Sequence, residues 1–319
     1  MKLTFEQIKS ITVGSVNTVK TEDGIRFFKC TEKQLEAWRQ KSATVFRCAT
    51  GTTGVRLDFH TNSQKLAFRV LSGKKYEVQI NSLPVAVFNP EPGDIIQLEL
   101  SDTIGRRLDE YRVTVIFPSH DDGGAIEYLD LDDGAFVRPH KFDRRFLFIG
   151  DSITQGWESS LDSYSYAYRV SSFFNAESVI QGIGGAFYYK DSFDVIDFDP
   201  DTVFVAYGTN DFSHYKTYDE FRRACEDHLS LIANAYAGKK IFVISPIWRD
   251  KRDGKPMGSF DGCIEIIKQT AEKLKLIHID GLNLVPPLTS LFADVYLHPN
   301  DNGFSLYAEN LIKEIIEQI

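Results

Sequence analysis

Phe146-Leu147-Phe148-Ile149-Gly150-Asp151-Ser152-Ile153-Thr154-Gln155-Gly156 runs from four apolar residues into a glycine-bounded turn that carries a serine. An unbroken apolar run of this length reads as a strand covered on both faces, because such a strand has no polar side to alternate with. A serine just beyond it stands at the carboxyl edge of a sheet, where open α/β folds bind ligands. Gly150 and Gly156 permit the tight backbone of such a turn. The Ser152 hydroxyl is a poor nucleophile until a base takes its proton, so a histidine is expected elsewhere in the chain.

Downstream, three further apolar runs (202–206, 241–245 and 276–279) alternate with helical patterns. The clearest helix begins at Thr217, with Glu220 three residues on as in a capping box. Phe221, Ala224, Cys225, His228, Leu229 and Ile232 follow at helical spacing, and Gly238 stands where a C-cap would. Two more helices carry Cys263, Ile264, Ile267, Ala271 and Leu274, and Phe304, Tyr307, Ala308, Leu311 and Ile315. Strands alternating with helices predict a parallel sheet covered on both faces.

Three more chemical blocks follow the serine. Gly182-Ile183-Gly184-Gly185 comes after the run 178–181, and a glycine N–H there can approach a ligand without a side chain in the way. Tyr207-Gly208-Thr209-Asn210-Asp211 follows the run 202–206, and an asparagine amide at that edge can donate to a developing oxyanion. Asp294-Val295-Tyr296-Leu297-His298-Pro299-Asn300-Asp301 supplies the histidine. Its imidazole suits general-base work, and a carboxylate can orient it. Trp157, Tyr207, His214 and Trp248 flank these blocks. Trp157, Tyr207 and Trp248 are the substrate-binding candidates, as aromatic walls of a pocket. Asp151 and Asp211 read as carboxylates that hold their loops.

The first half has another texture. From about residue 43 to 136, short runs rich in Val, Ile, Phe or Tyr are separated by Gly, Asn, Asp or Pro. Val45-Phe46-Arg47-Cys48 and 55–59 flank a Thr-Gly-Thr-Thr-Gly turn, and further runs lie at 65–71, 76–80, 95–100 and 111–117. This spacing predicts an antiparallel sandwich or jelly roll. Residues 1–40 are mixed, with one helix or turn around 32–38.

The composition excludes several classes. The chain has 319 residues, with 45 acidic against 36 basic ones and a net charge of -9. That sign speaks against a duplex-coating protein, so no nucleic-acid partner is expected. No apolar run reaches membrane-spanning length and the N-terminus lacks a signal-like apolar region, so no membrane partner and a cytoplasmic location are expected. Cys30, Cys48, Cys225 and Cys263 lie far apart and read as buried thiols. No histidine pair has ligand spacing with nearby Cys or carboxylates, so no metal is expected.

The four blocks, in this order, resemble the SGNH (GDSL-type) hydrolase superfamily over residues 144–319. Ile-Gly-Asp-Ser-Ile-Thr-Gln-Gly-Trp (149–157), Tyr164-Ser165-Tyr166-Ala167-Tyr168 and Gly-Thr-Asn-Asp-Phe (208–212) are most similar to carbohydrate esterase family 2. The resemblance implies a flavodoxin-like three-layer α/β/α hydrolase domain over 141–319. A jelly-roll-like all-β accessory domain over 1–140 precedes it. It implies a serine esterase that removes acetyl groups from sugars through an acyl-enzyme, with no cofactor. The partner is then a small acetylated carbohydrate or other small ester; the oligomeric state, a homo-oligomer included, stays open. Ser152 resembles the nucleophile and His298 the base. The Ser152 N–H, Gly185 and Asn210 resemble the oxyanion donors, Gly185 rather than Gly182 because the last glycine of the block usually serves. Asp294 resembles the third triad member, but the family spacing is Asp-x-x-His and here it is Asp-x-x-x-His. A Ser/His dyad is therefore the alternative at that position. Two other functions remain beside the acetyl esterase: a lysophospholipase or thioesterase on longer acyl chains, and a catalytically inactive carbohydrate-binding protein.

Overall fold

In the computed structural model, which describes residues 1–120 and 123–318, the run 146–149 is the middle of the strand Arg144–Gly150. Ala176–Gly182 and Thr202–Ala206 flank this strand, all parallel, and Lys240–Ile244 and Ile277–Ile279 extend the sheet beyond Thr202–Ala206. Numbered along the chain, the order across the sheet is therefore second, first, third, fourth, fifth. The order reverses between the first and third strands, and a crevice opens at the carboxyl ends where it does. Ser152 follows the first strand and Asn210 the third, so the topology alone brings both to that crevice.

The strands bury both faces, which is why their residues barely alternate in polarity. On one face Phe146, Phe148, Phe204, Phe242 and Ile244 share a core with helices Tyr166–Phe173 and Asp301–Ile316, through Tyr166, Val170, Phe304, Tyr307 and Leu311. Side chains of intervening residues such as Leu147, Val203, Val205 and Val243 point to the opposite face. Helices Tyr218–Ala235 and Phe260–Lys273 bury Phe221, Cys225, Leu229, Cys263 and Ile267. Thr217 caps the first of these, its hydroxyl accepting from the Glu220 N–H. Each large apolar side chain removed from water contributes about 1.5–3 kcal/mol.

Two antiparallel sheets make up the other unit, residues 1–31 and 50–142. One runs Thr12–Val13, Arg56–Thr61, Tyr111–Ile116, Tyr76–Ile80, Leu83–Phe88, with Arg138–Pro139 also on Arg56–Thr61. The other runs Asn17–Lys20, Ile25–Phe28, Ala125–Leu131, Lys65–Ser72, Ile95–Glu99. Both sheets feed one core, with Leu57, Phe59, Val78 and Val113 from the first and Phe27, Phe68, Val70 and Leu129 from the second. This is a β-sandwich, as the strand spacing predicts. Among the described residues, no helix is long and apolar enough to cross a membrane.

Two expectations for the first half need correction. Residues 32–49 lie within the span 1–140 assigned to the sandwich, yet they belong to the same compact unit as 143–319. Val45-Phe46-Arg47-Cys48, read as a strand, lies inside the helix Ala43–Thr50. Four residues fit either period, and here the buried face is Val45, Cys48 and Ala49, a helical spacing. The Ser42 hydroxyl also accepts from the Val45 N–H at 3.4 Å, at the helix start.

Candidate active site

The turn after Gly150 is built by Asp151. Its side chain accepts from the Ile153 N–H at 2.9 Å and starts the short helix Ser152–Gln155, placing Ser152 at the helix's first position. Burial pushes the Asp151 carboxyl up to about 7, against the pull of the Ile153 N–H, its own N–H and Arg249. Ser152 Oγ lies 2.9 Å from His298 Nε2. His298 Nδ1 lies 2.7 Å from Asp294 Oδ2. A carboxylate at Nδ1 holds the proton there, which leaves Nε2 free to accept from the serine.

The loop that carries the pair is closed at its base. Phe292 bridges Pro299, and the Ala293 N–H donates to the His298 carbonyl at 2.9 Å. Inside it, Asp294 Oδ1 accepts from the N–H groups of Tyr296 (3.1 Å), Leu297 (2.8 Å) and His298 (3.0 Å). Burial pushes the Asp294 carboxyl up. The Leu297 N–H, the His298 ring and the other two N–H groups outweigh it and hold the acid below its ordinary value. Asp294 is therefore ionised at neutral pH.

The three glycines of the second block have different surroundings. A Cβ on Gly182 would stand 2.3 Å from the Gln155 backbone nitrogen, so this glycine lets the strand pack against the serine helix. The Gly184 N–H is taken by Gln155 Oε1 at 2.6 Å. Gly185 has φ +80, a conformation side chains disfavour, and lines the cavity together with Asn210. Asn210 donates one amide hydrogen to the Ala186 carbonyl at 2.9 Å, which fixes the amide and leaves its second hydrogen available. Asp211 holds the two loops together, accepting from the Tyr188 N–H and the Gly208 N–H, each at 2.9 Å. Burial pushes its carboxyl up to about 7.

The aromatic candidates separate. Trp157 is half-buried, its ring 6.4 Å from the His298 ring. Trp248 packs on Phe292, ring centroids 5.0 Å apart, and so props the loop that holds Asp294. Tyr207 is 3% exposed and lies edge-on to Tyr188 and His228 in the core. The residue after a strand end can point into either layer, and Tyr207 points into the helix layer. The cavity beside Gly185 and Asn210, about 440 Å³, is instead walled by Lys41, Ser42, Val45, Phe187, Ser213 and His214. Of these only His214 was singled out by its position in the sequence.

Several supports were not visible in the chain. Gln155 lies within the serine block, and its side chain clamps Gly184. Arg249, 8% exposed, donates to the Thr209 carbonyl at 2.8 Å and steadies the asparagine loop. Gln34 and Gln181 exchange paired amide hydrogen bonds at 3.1 and 3.0 Å, which ties helix Glu32–Lys41 to the strand before the glycines. Among the described residues, no group of three or more His, Cys, Asp or Glu could hold a metal ion.

Comparison with known proteins bears on the fold and on the family of the second half of the chain. Residues 148–306 match the model of the GDSL-like lipase/acylhydrolase family. No curated protein sequence matches the chain. Among solved structures, the salicylyl-acyltransferase SsfX3 of a tetracycline biosynthetic pathway is similar at 16% identity and TM-score 0.82, over 96% of this chain and 94% of that one. A protein assigned as a GDSL-like lipase from Bacteroides ovatus is similar at 19% identity and TM-score 0.71, over 99% and 98%. A family two carbohydrate esterase from Cellvibrio japonicus is similar at 16% identity and TM-score 0.65, over 96% and 94%. At these identities the likeness is one of fold, and it extends through both units.

Proposed function

Residues 148–306 being a GDSL-like lipase/acylhydrolase domain, we propose that the chain is a serine esterase that deacetylates sugars or oligosaccharides through an acyl-enzyme. The observation that carries this reading is the continuous chain from Ser152 Oγ to His298 Nε2 (2.9 Å) and from His298 Nδ1 to Asp294 Oδ2 (2.7 Å), at the sheet's reversal point. His298 takes the Ser152 proton as Oγ attacks the acetyl carbonyl. The carbonyl oxygen becomes an oxyanion beside the N–H groups of Ser152 and Gly185 and the free amide hydrogen of Asn210. Each such preorganised donor is worth about 10²–10³ in rate. His298 then gives its proton to the leaving sugar oxygen, and the C–O bond breaks. Water, losing a proton to the same imidazole, attacks the acetyl-serine; the bond from the acyl carbon to Oγ breaks, His298 returns the proton to Oγ, and acetate is released. Asp294 stays ionised throughout and stabilises the imidazolium.

The sugar as the alcohol portion is supported by the likeness to a family two carbohydrate esterase in both units. Ser152→Ala is expected to abolish release of 4-nitrophenol from its acetate and of acetate from acetylated mono- and oligosaccharides, with unchanged circular dichroism. Retained turnover would remove Ser152 from the mechanism. An acetyl, butyryl and octanoyl series is expected to favour acetyl; a rate rising with chain length would support the long-chain alternative.

A further inference from the structure

The cavity at the oxyanion donors, about 440 Å³, is far larger than the methyl group of an acetyl ester requires. It is suited to the larger portion of the ester, and the chemistry of its walls bears on what that portion carries. Lys41, the last residue of helix Glu32–Lys41, stands on its rim with Nζ 5.2 Å from the Tyr189 ring centroid and 5.8 Å from that of Phe187. The other cations of this helix are paired, Lys33 with Asp194 and Arg39 with Glu36. Among the described residues Lys41 has no carboxylate partner. Among the described residues no Asp or Glu lines the cavity, although the chain as a whole has 45 acids to 36 bases.

The remaining polar walls can donate. Ser42 and Ser213 offer hydroxyls. His214 stacks on Phe187 with ring centroids 3.8 Å apart. Burial, and then the charge of Lys41, hold its imidazole below the ordinary value. At neutral pH it is uncharged, and Lys41 supplies the positive charge of the lining. A cation beside hydroxyl donors, in a lining that holds no described carboxylate, is a setting for an anion.

We propose that Lys41, with the Ser42 and Ser213 hydroxyls, binds an anionic group on the larger portion of the ester. The preferred substrates are then esters of acidic compounds, such as acetylated sugar acids or sugar phosphates. The inference rests on the esterase reading above and names the substrate class for that site.

Two matched pairs of esters test it in the full-length protein: 4-acetoxybenzoate against its methyl ester, with the charge on the alcohol side, and mono-4-nitrophenyl glutarate against 4-nitrophenyl valerate, with the charge on the acyl side. The readout is the ratio of wild-type to Lys41→Met kcat/KM for each ester, in which intrinsic ester reactivity cancels. For the charged member of at least one pair the ratio is expected to be about tenfold above that of its neutral partner. The change is expected chiefly in KM, to shrink in 0.5 M NaCl and to be restored by Lys41→Arg. Dependence in the alcohol-side pair supports acidic acetyl esters; dependence in the acyl-side pair alone supports anion binding and overturns the acetyl preference. Equal ratios within both pairs overturn the role of Lys41, including the case where the variant slows every ester by the same factor through altered folding. Absence of hydrolysis of all four esters by the wild type would instead overturn the esterase reading.

Discussion

Asp294 precedes His298 by four residues, one more than the family spacing, and Val295 absorbs the extra residue. Its φ is +60, an unusual conformation for a β-branched side chain, at a cost of about 1–2 kcal/mol. The Val295 side chain is 64% exposed, so packing does not offset that cost. The three N–H groups gathered on Asp294 Oδ1 do, because the left-handed residue turns the following backbone toward the carboxylate. The other oxygen is then left for His298 Nδ1. Asp294→Asn keeps an acceptor for the backbone but loses the negative charge. It is expected to lower kcat on 4-nitrophenyl acetate by about 10²–10⁴-fold with little change in KM. A fall of less than threefold would favour the Ser/His dyad. Ser152, Asn210 and His298 are legible because the residue type itself names the chemistry. Arg249 and Gln155 are not, since each acts on a backbone group that no sequence pattern marks. Tyr207 is an aromatic next to a candidate block whose buried side chain packs on Tyr188 and His228, a placement its position in the sequence does not mark.

At the scale of elements, helix Glu32–Lys41 carries the largest difference between expectation and structure. Its helical character is readable; its membership of the hydrolase unit is not. Only Gln34 and Trp38 are buried on this mostly polar helix, and each finds its partners some 150 residues away. Trp38, 1% exposed, lies edge-on to Phe187 at 5.6 Å and close to Tyr189 at 5.5 Å. It thus stands behind the wall of the cavity. Trp38→Ala is expected to destabilise this unit by about 3–5 kcal/mol in urea unfolding and to raise KM in the folded fraction. An unchanged unfolding midpoint would mean that the helix is a passive connection. The strands of the parallel sheet are more legible in the sequence. Burial on both faces leaves apolar runs, and Gly150, Gly182, Gly208 and Gly281 stand at or within two residues of the ends of four of the five strands.

For the molecule as a whole, acid response includes a contribution from buried groups inside the hydrolase unit. Burial holds the His228 imidazole down to about 4, its Nδ1–H donating to the Tyr189 carbonyl at 3.1 Å. The native state therefore binds fewer protons than the unfolded chain between about pH 4 and 6.5. This contribution is present above the unfolded value near 6.5 and is lost as pH falls toward 4. Relative to His228→Phe, the wild type is expected to lose about 2 kcal/mol of stability between pH 7.5 and pH 5, measured by urea unfolding at each pH. A gap that does not change with pH would mean that His228 is not buried neutral. Asp151 and Asp211 act with the opposite sign: their raised pKa values favour the folded state at low pH, and that contribution is lost as pH rises through about 7. Comparison with the single variant isolates the histidine from them.

The chain by itself determined the alternation of strands and helices, the sandwich texture ahead of it, and the four chemical blocks. These follow from local periodicity and from residue types with few other uses. Tertiary structure alone decided that the Gly184 N–H is taken by Gln155 and how an extra residue is fitted between Asp294 and His298. It also decided that a helix from the first 50 residues walls the cavity. The physical reason is range. Periodicity and turn chemistry act over a few residues. An N–H's partner, a carboxylate's orientation and a pocket wall depend on groups that meet only when distant parts of the chain pack.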